Sequence, residues 1–191
     1  MNKKILAGVT MLGLMFAYAL PFSVDYGEVK EASAAQSDYF LKIDTIEGES
    51  NAQGHEKENQ IMSWSFGASN PSTVGAGSGM GAGKVQFQDF HFTKMIDKAT
   101  PKLFMMCASG KHIPKATLTV AKPSADGPVT YMTYTFADVM VTSCTNSADP
   151  LVEEVSFNYA KIEMSYVPQG EKGAVEKPII AGWDLKMNKG I

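Results

Sequence analysis

The amino-acid sequence predicts a mainly β fold, a small antiparallel β-barrel with one short α-helix on its flank. Apolar and polar residues alternate with period two along most of the chain after residue 35, as they do in half-buried strands. Only one segment, which begins near Thr100, carries the start and stop signals of a helix. About seven strands with one helix favour an antiparallel structure that closes, or nearly closes, on itself.

The N-terminal residues have the layout of a secretory signal. Lys3 and Lys4 precede an apolar run from Ile5 to Phe22, and a charged start followed by an apolar segment is typical of export signals. The alternative is an uncleaved anchor helix, since the run is about long enough to span a bilayer. We therefore expect a signal or anchor in residues 1–34 and one domain in residues 35–191.

Two cleavage sites remain open. Two segments, Ala17-Tyr18-Ala19 and Ala32-Ser33-Ala34, have an alanine on each side of one residue. Signal peptidases favour small residues with this spacing. The first site lies close to the apolar run and the second lies further away. Spacing alone does not choose between them.

Three strands are predicted before the helix. The second run places Met62, Trp64 and Phe66 on one face and Ser63 and Ser65 on the other, which predicts a core face and a polar face. A glycine-rich loop precedes the third run. The three runs and the loop are Tyr39–Ile46, Gln60–Ala68, Lys84–Phe92 and Gly75–Gly83.

The predicted helix is about two and a half turns long. Thr100 is a suitable N-cap because its hydroxyl can accept hydrogen bonds from the first free amides, and Pro101 suits the first helical position. Gly110 can adopt the left-handed conformation that ends a helix. One apolar face is expected from residues at i, i+1 and i+4, namely Leu103, Phe104 and Cys107.

Further strands follow the helix. Apolar residues alternate with threonines over 116–120, and residues 129–141 are rich in tyrosine and threonine. The alternation in the next run changes phase near Ala160 and Lys161, which predicts a β-bulge. A polar connection over residues 168–177 leads to a final strand in which Trp183, Leu185 and Met187 share one face.

Composition limits the classes of function. The chain has 191 residues, 45% of them hydrophobic, and a net charge of −3, which fits one globular domain. No basic cluster of the kind that binds nucleic acid occurs in the sequence. Nucleic acid is therefore not an expected partner.

Motifs for cofactors and catalysis are incomplete. The glycine-rich loop lacks the Ser or Thr that a phosphate-binding loop requires after Lys84, and it precedes a predicted strand where a dinucleotide site requires a helix. The three histidines, His55, His91 and His112, lack the spacing of metal ligands. No nucleophile motif or carboxylate pair indicates hydrolysis. We expect no enzymatic activity, no cofactor and no metal.

Several separate motifs resemble one known family. FLKIDTIEGES, IMSWSFGAS, GAGKVQFQDF, FTKMIDKATPKLFMMCASGKHIPKATLTV and GWDLKMN follow one another in the order found in Hcp, the haemolysin-coregulated tube protein of bacterial type VI secretion systems. The resemblance covers about Ser37 to Asn188. It implies a β-barrel with one flanking helix that assembles into a six-membered ring, whose rings stack into a tube.

The resemblance also implies partners. Hcp-like proteins associate with themselves, hold small effector proteins in the ring lumen, and work with the sheath, baseplate and tip proteins of the secretion machine. The N-terminal segment departs from the family, whose members usually begin near the position of Ala34 and carry no export signal. The sequence thus predicts a protein that is secreted or extracellular, with passage through the periplasm. The competing class is an exported monomeric β-sandwich or barrel that acts as a binding module.

Two further expectations concern individual residues. If Met62, Trp64 and Phe66 fill the core, Ser63 and Ser65 face outward and could line a lumen that binds cargo. The alternative is that this strand faces solvent on the outer wall. Cys107 and Cys144 could form a disulfide bond in an exported chain, or remain free, with Cys107 packed in the core.

Overall fold

The computed structural model describes residues 37–71, 84–124, 127–168 and 177–191. The predicted export segment, the loop Gly75–Gly83 and most of the connection over 168–177 lie outside the described residues. The described part contains one helix, α1 (Thr100–Ser109), and twelve strands. The strands are β1 Asp38–Ile43, β2 Asn59–Ile61, β3 Ser63–Ser65, β4 Ala68–Ser69, β5 Gln86–Phe87, β6 Phe90–Met95, β7 Ile113–Lys122, β8 Val129–Ala148, β9 Leu151–Asn158, β10 Lys161–Tyr166, β11 Ile179–Asp184 and β12 Lys189–Gly190.

Two antiparallel sheets share the long strand β8. The first sheet has the order β12-β11-β10-β8-β7-β1-β2. The second sheet has the order β3-β6-β9-β8. Residues 129–139 of β8 pair in the first sheet, and Met140 to Ala148 pair with β9 in the second. Asp138 adopts a φ of 54° at this point, and such a local break bends the strand from one sheet into the other.

The mainly β class is confirmed, whereas the sheet is not closed into a barrel. On the side opposite β8, β2 pairs with β1 and β3 pairs with β6. Met62 lies between β2 and β3, and its amide donates a 2.7 Å hydrogen bond to the carbonyl of Thr93. On this side the two sheets are linked through Met62 and not by pairing between their strands. The described residues therefore form a folded-over sheet.

An aromatic core lies between the two sheets. Phe90, Phe136 and Phe157 are fully buried. The ring centroid of Phe90 lies 4.9 Å from those of both Phe136 and Phe157, and the latter two are 5.2 Å apart. Aromatic pairs at these separations add to the stabilisation that burial of the rings supplies. The core thus joins β6 and β9 of the second sheet to the part of β8 that lies in the first.

Several predicted strands have different limits. The run 60–68 divides into β2, β3 and β4, and Met62 is 54% exposed because it lies at the junction. Trp64 and Phe66 do pack against the core. The run 84–92 divides into β5 and β6, with β6 continuing to Met95.

The phase change at Ala160 and Lys161 is not a bulge. β9 ends at Asn158 and pairs in the second sheet, whereas β10 begins at Lys161 and pairs in the first. The alternation shifts because the chain crosses between sheets at Tyr159 and Ala160, both of which are buried. The final predicted strand is also displaced, since β11 ends at Asp184 and Met187 lies in the turn that follows.

In the part of the chain that the structure describes, no helix is both long enough and apolar enough to cross a membrane.

Candidate functional site

The outer face of the second sheet is polar. Along β6, Phe90 and Phe92 point into the core, so His91 and Thr93 point to the opposite side. Register places the outward residues of the four strands in two rows. One row is Ser65, His91, Ser156 and Ser143, and the other is Ser63, Thr93, Glu154 and Thr145.

These eight residues line a groove of about 280 Å³. A 2.6 Å hydrogen bond joins Nδ1 of His91 to the hydroxyl of Ser156. Glu154 is the one carboxylate among the eight, and none of them is a lysine or arginine. The polar face is therefore rich in small hydroxyl side chains that can form hydrogen bonds without strong charge.

The second sheet has a free edge on each side of this polar face. Among the described residues, β3 pairs only with β6, and the part of β8 from Met140 to Ala148 pairs only with β9. Unpaired strand edges present backbone donors and acceptors to another chain. Ser63 and Ser65 lie on one of these edges, and Ser143 and Thr145 lie on the other.

A buried cluster of charged and polar side chains connects the start of α1 to the inner side of the second sheet. The ammonium of Lys94 lies 2.8 Å from Oε1 of Glu153 and 2.6 Å from Oδ1 of Asp97. The hydroxyl of Thr100 donates a 2.8 Å hydrogen bond to Glu153. Buried charges are tolerated when they are paired and hydrogen-bonded in this way. The cluster thus fixes where the helix begins.

The sequence carries a signal for this cluster that alternation within single strands does not reveal. Lys94 follows Phe90 and Phe92 in the buried phase of β6, and Glu153 precedes Val155 in the buried phase of β9. Opposite charges in the apolar phases of two strands predict a buried pair when the strands are neighbours. The other six outward residues could not be grouped with Ser63 and Ser65 from the sequence, because periodicity does not specify which strands pair. They are His91, Thr93, Ser143, Thr145, Glu154 and Ser156.

The start of α1 differs from the prediction. The N-cap position belongs to Ala99, and Thr100 is the first helical residue, so Pro101 follows in the first turn. The hydroxyl of Thr100 does not cap the helix, because it accepts from the amide of Asp97 and donates to Glu153. Oδ1 of Asp97 accepts from the amide of Ala99 instead.

The apolar face that α1 buries is also narrower than predicted. Leu103 is fully buried and Cys107 is half-buried, but Phe104 is 59% exposed. Phe104 lies one residue from Leu103, about 100° around the helix, and so it points away from the core. Gly110 ends the helix with a φ of 61° in the left-handed region.

Cys107 and Cys144 lie side by side as free thiols. The thiol of Cys144 donates a 3.6 Å hydrogen bond to the carbonyl of Leu103 on α1. Burial, and then the neighbouring Cys107, raise the pKa of the Cys144 thiol to about 12. Desolvation penalises the charged thiolate, so Cys144 stays neutral near pH 7.

The described residues contain no group of three or more His, Cys, Asp and Glu side chains that could hold a metal ion.

Comparison with known proteins identifies the family. The family model described as "Type VI secretion system effector, Hcp" matches residues 40–166. Protein hcp1 of Pseudomonas aeruginosa is 40% identical over 156 residues, which cover 79% of this chain and 96% of that protein. The chain belongs to the Hcp family.

Solved structures agree with this assignment. The crystal structure of Hcp1 from Salmonella typhimurium is 41% identical, with a TM-score of 0.66, and the match covers 81% of this chain and 99% of that one. A structure described as a type six secretion system protein is 29% identical, with a TM-score of 0.75, over 82% of this chain and 100% of that one. The Hcp resemblance predicted from the sequence motifs is therefore confirmed.

Membership of the Hcp family confirms the main functional prediction. The chain is a type VI secretion tube protein, and its family consists of structural, ring-forming proteins that leave the cell by type VI secretion. Hcp is not an enzyme family. The competing class, a monomeric binding module, is not favoured.

Proposed function

We propose that this Hcp protein forms a six-membered ring, that its rings stack into a tube, and that the polar face of the second sheet lines the lumen. One observation carries the proposal: two rows of mostly small polar side chains cross the second sheet from one free edge to the other. A surface that is polar, nearly neutral and bounded by unpaired edges suits the inner wall of a ring.

Ring closure follows from the two different edges. If the β8 edge of one protomer meets the β3 edge of the next, each contact joins unlike surfaces, and such heterologous contacts generate rings when the rotation closes. The rows that end at Ser143 and Thr145 would then continue at Ser65 and Ser63 of the neighbour. The backbone groups of both edges gain partners in the same step.

Exposed methionines support a subunit contact beside the β3 edge. Met62 is 54% exposed and Met95 is 53% exposed, and both line the same groove of about 510 Å³. Methionine is an adaptable apolar side chain that is common at interfaces. Burial of both side chains against the next protomer would add apolar stabilisation to the backbone pairing.

The polar face suits a cargo that must later be released. Serine and threonine hydroxyls offer hydrogen bonds to a small effector protein, whereas the scarcity of apolar and charged groups limits how tightly the effector is held. We propose small effector proteins as the ligands of this face. The outer surfaces of the ring are left for the sheath, baseplate and tip proteins of the machine.

The export segment adds a second part to the proposal. We infer that residues 1–34 direct the Hcp domain, residues 35–191, into the periplasm or out of the cell, because Lys3 and Lys4 precede a long apolar run. Mass spectrometry of the exported protein should find an N-terminus near Leu20 or Ala35. Recovery of only the intact Met1 form in the membrane would contradict cleavage.

The oligomeric state tests the ring. Size-exclusion chromatography with light scattering should give a mass of six protomers for the purified protein. Met62→Glu and Met95→Glu should release monomers, because each places a charge in the subunit contact. Phe104→Glu is the matched control, since Phe104 is comparably exposed, at 59%, but lies on α1. A monomeric parent protein, or rings that survive both methionine variants, would contradict the proposed contact.

A further inference from the structure

The two cysteines of this chain meet across the junction of α1 and β8. The thiol of Cys144 bonds to the carbonyl of Leu103 at 3.6 Å. Leu103 lies four residues before Cys107, so this carbonyl is also the helical partner of the Cys107 amide. Cys107 lies one helical turn after Leu103 on the same face of α1, which places it beside Cys144. Both side chains pack against the hydrophobic core.

We propose that Cys107 and Cys144 form an intramolecular disulfide bond in the exported protein. The inference rests on the export part of the proposed function, because disulfides persist in the periplasm and outside cells, whereas the cytosol keeps thiols reduced. The 191-residue sequence contains two cysteines, so a disulfide bond within it must join Cys107 and Cys144. Cys144 bonds to the turn of α1 that leads to Cys107, so the two residues are already neighbours in the fold, as a disulfide requires.

The oxidant is a protein disulfide of the thiol–disulfide oxidase class. The thiolate of Cys107 attacks one oxidase sulfur, which forms a mixed disulfide and expels the other oxidase sulfur as a thiolate. Cys144 then loses its proton and attacks the sulfur of Cys107, and the second oxidase sulfur leaves. The two protons from the cysteines reside on the two oxidase thiols, so the protein is oxidised by two electrons and the oxidase is reduced by two.

Disulfide formation is disfavoured once the domain has folded. Burial raises the pKa of the Cys144 thiol to about 12, so little of the nucleophilic thiolate exists once the domain has folded. We therefore place bond formation during folding after export, before Cys144 is enclosed.

The bond would anchor the second half of α1. Thr100 already ties the start of the helix to Glu153 by a 2.8 Å hydrogen bond, and the disulfide would tie the last turns to β8. It would close a loop with a sequence separation of 37 residues (144 − 107), which contains all of β7. In the chain-entropy model a loop of this size raises Tm by about 10 °C in a domain of this length.

Thiol alkylation tests the bond. The full chain is expressed with its own N-terminal segment, recovered from the periplasm, denatured without reductant and treated with N-ethylmaleimide. We expect no alkyl groups before reduction and two after it, with a Tm about 10 °C higher than that of the reduced protein. Two free thiols in exported protein, or dimers linked by disulfides on a non-reducing gel, would overturn the assignment.

Two controls separate this inference from the export proposal. In a host that lacks its periplasmic dithiol oxidase, the exported chain should carry two alkylated thiols and the Tm of the reduced form. Full chain that stays in the cytoplasm refutes export. Oxidation of the same purified protein by oxidised glutathione during refolding then tests the disulfide separately.

Substitution of either cysteine tests the pairing itself. Cys107→Ala and Cys144→Ala should each abolish the Tm difference between oxidising and reducing buffer, and a difference that remains in either variant would contradict the pairing.

Discussion

Lys94 on β6 lies 2.8 Å from Glu153 on β9, and each side chain is only 1% exposed. The two residues lie opposite each other on adjacent strands, one position along from the pair Thr93 and Glu154 on the polar face. Lys94 also forms an ion pair with Asp97, and Glu153 accepts a hydrogen bond from Thr100 at the start of α1. One strand pair thus presents polar groups outward, with Glu154 as the single carboxylate, and a paired charge inward.

Removal of the lysine should destabilise the fold strongly. Lys94→Met leaves the carboxylates of Glu153 and Asp97 close together without their cation, and loss of one member of a buried ion pair costs about 3–5 kcal/mol. Urea unfolding at fixed protein concentration measures the change. Lys98→Met is the matched control, because Lys98 pairs with Glu47 on the surface at 3.5 Å and should cost less than about 1 kcal/mol. Equal losses in the two variants would contradict the role of the cluster.

The Thr100 hydroxyl should matter more than its methyl group. Thr100→Val keeps the shape of the side chain but removes the acceptor for the Asp97 amide and the donor to Glu153. Buried partners left unsatisfied cost about 1–3 kcal/mol. Thr100→Ser retains the hydroxyl and should stay within about 1 kcal/mol of the parent protein. Thermal unfolding compares the three proteins, and a Ser variant as unstable as the Val variant would show that packing dominates.

A bulky charge on the polar face should affect cargo and not assembly. The exposed side chain of Ser65 points to the polar face, whereas the proposed contact along the β3 edge uses backbone groups. Folding and ring mass should therefore not change. Steric and desolvation costs should reduce the amount of small effector protein that co-purifies by about tenfold, equivalent to about 1.4 kcal/mol. Ser109→Arg makes the same substitution at the exposed end of α1 and should retain the effector. A monomeric Ser65→Arg protein would show that the side chain, and not only the backbone of the β3 edge, lies in the subunit contact. Unchanged retention would contradict the lumen assignment.

The Cys144 thiol gives a prediction for alkaline pH. Burial raises its pKa from the ordinary 9.0 to about 12 in the reduced, folded protein. Because the unfolded thiol ionises first, the stability associated with the neutral thiol is present below pH 9 and is lost as the pH rises from about 9 to about 12. The free energy of unfolding should therefore fall more steeply with pH than it does for Cys144→Ala. The two slopes should differ by up to the amount that one bound proton contributes. Tyr159, whose pKa burial also raises to about 12, is common to both proteins. Parallel curves would contradict the prediction.

Local patterns in the sequence were sufficient for the family, the mainly β class and the single described helix. Alternation of apolar and polar residues depends on the backbone geometry of one strand, so the outward direction of Ser63 and Ser65 could be predicted from neighbours in the chain. The end of α1 at Gly110 likewise depends on a conformation that glycine adopts without a steric penalty.

Only the tertiary structure decided which strands are neighbours. The phase change at Ala160 could be a bulge or a change of sheet, and the pairing of β9 and β10 with different parts of β8 determines which. Thr100 is a good N-cap by composition, but Glu153, which is 53 residues away, takes its hydroxyl. The polar face, the buried charges and the meeting of Cys107 with Cys144 all join residues that are distant in sequence. Such contacts form only when the chain folds, because side-chain periodicity specifies the face of a strand but not the partner that the face or edge will meet.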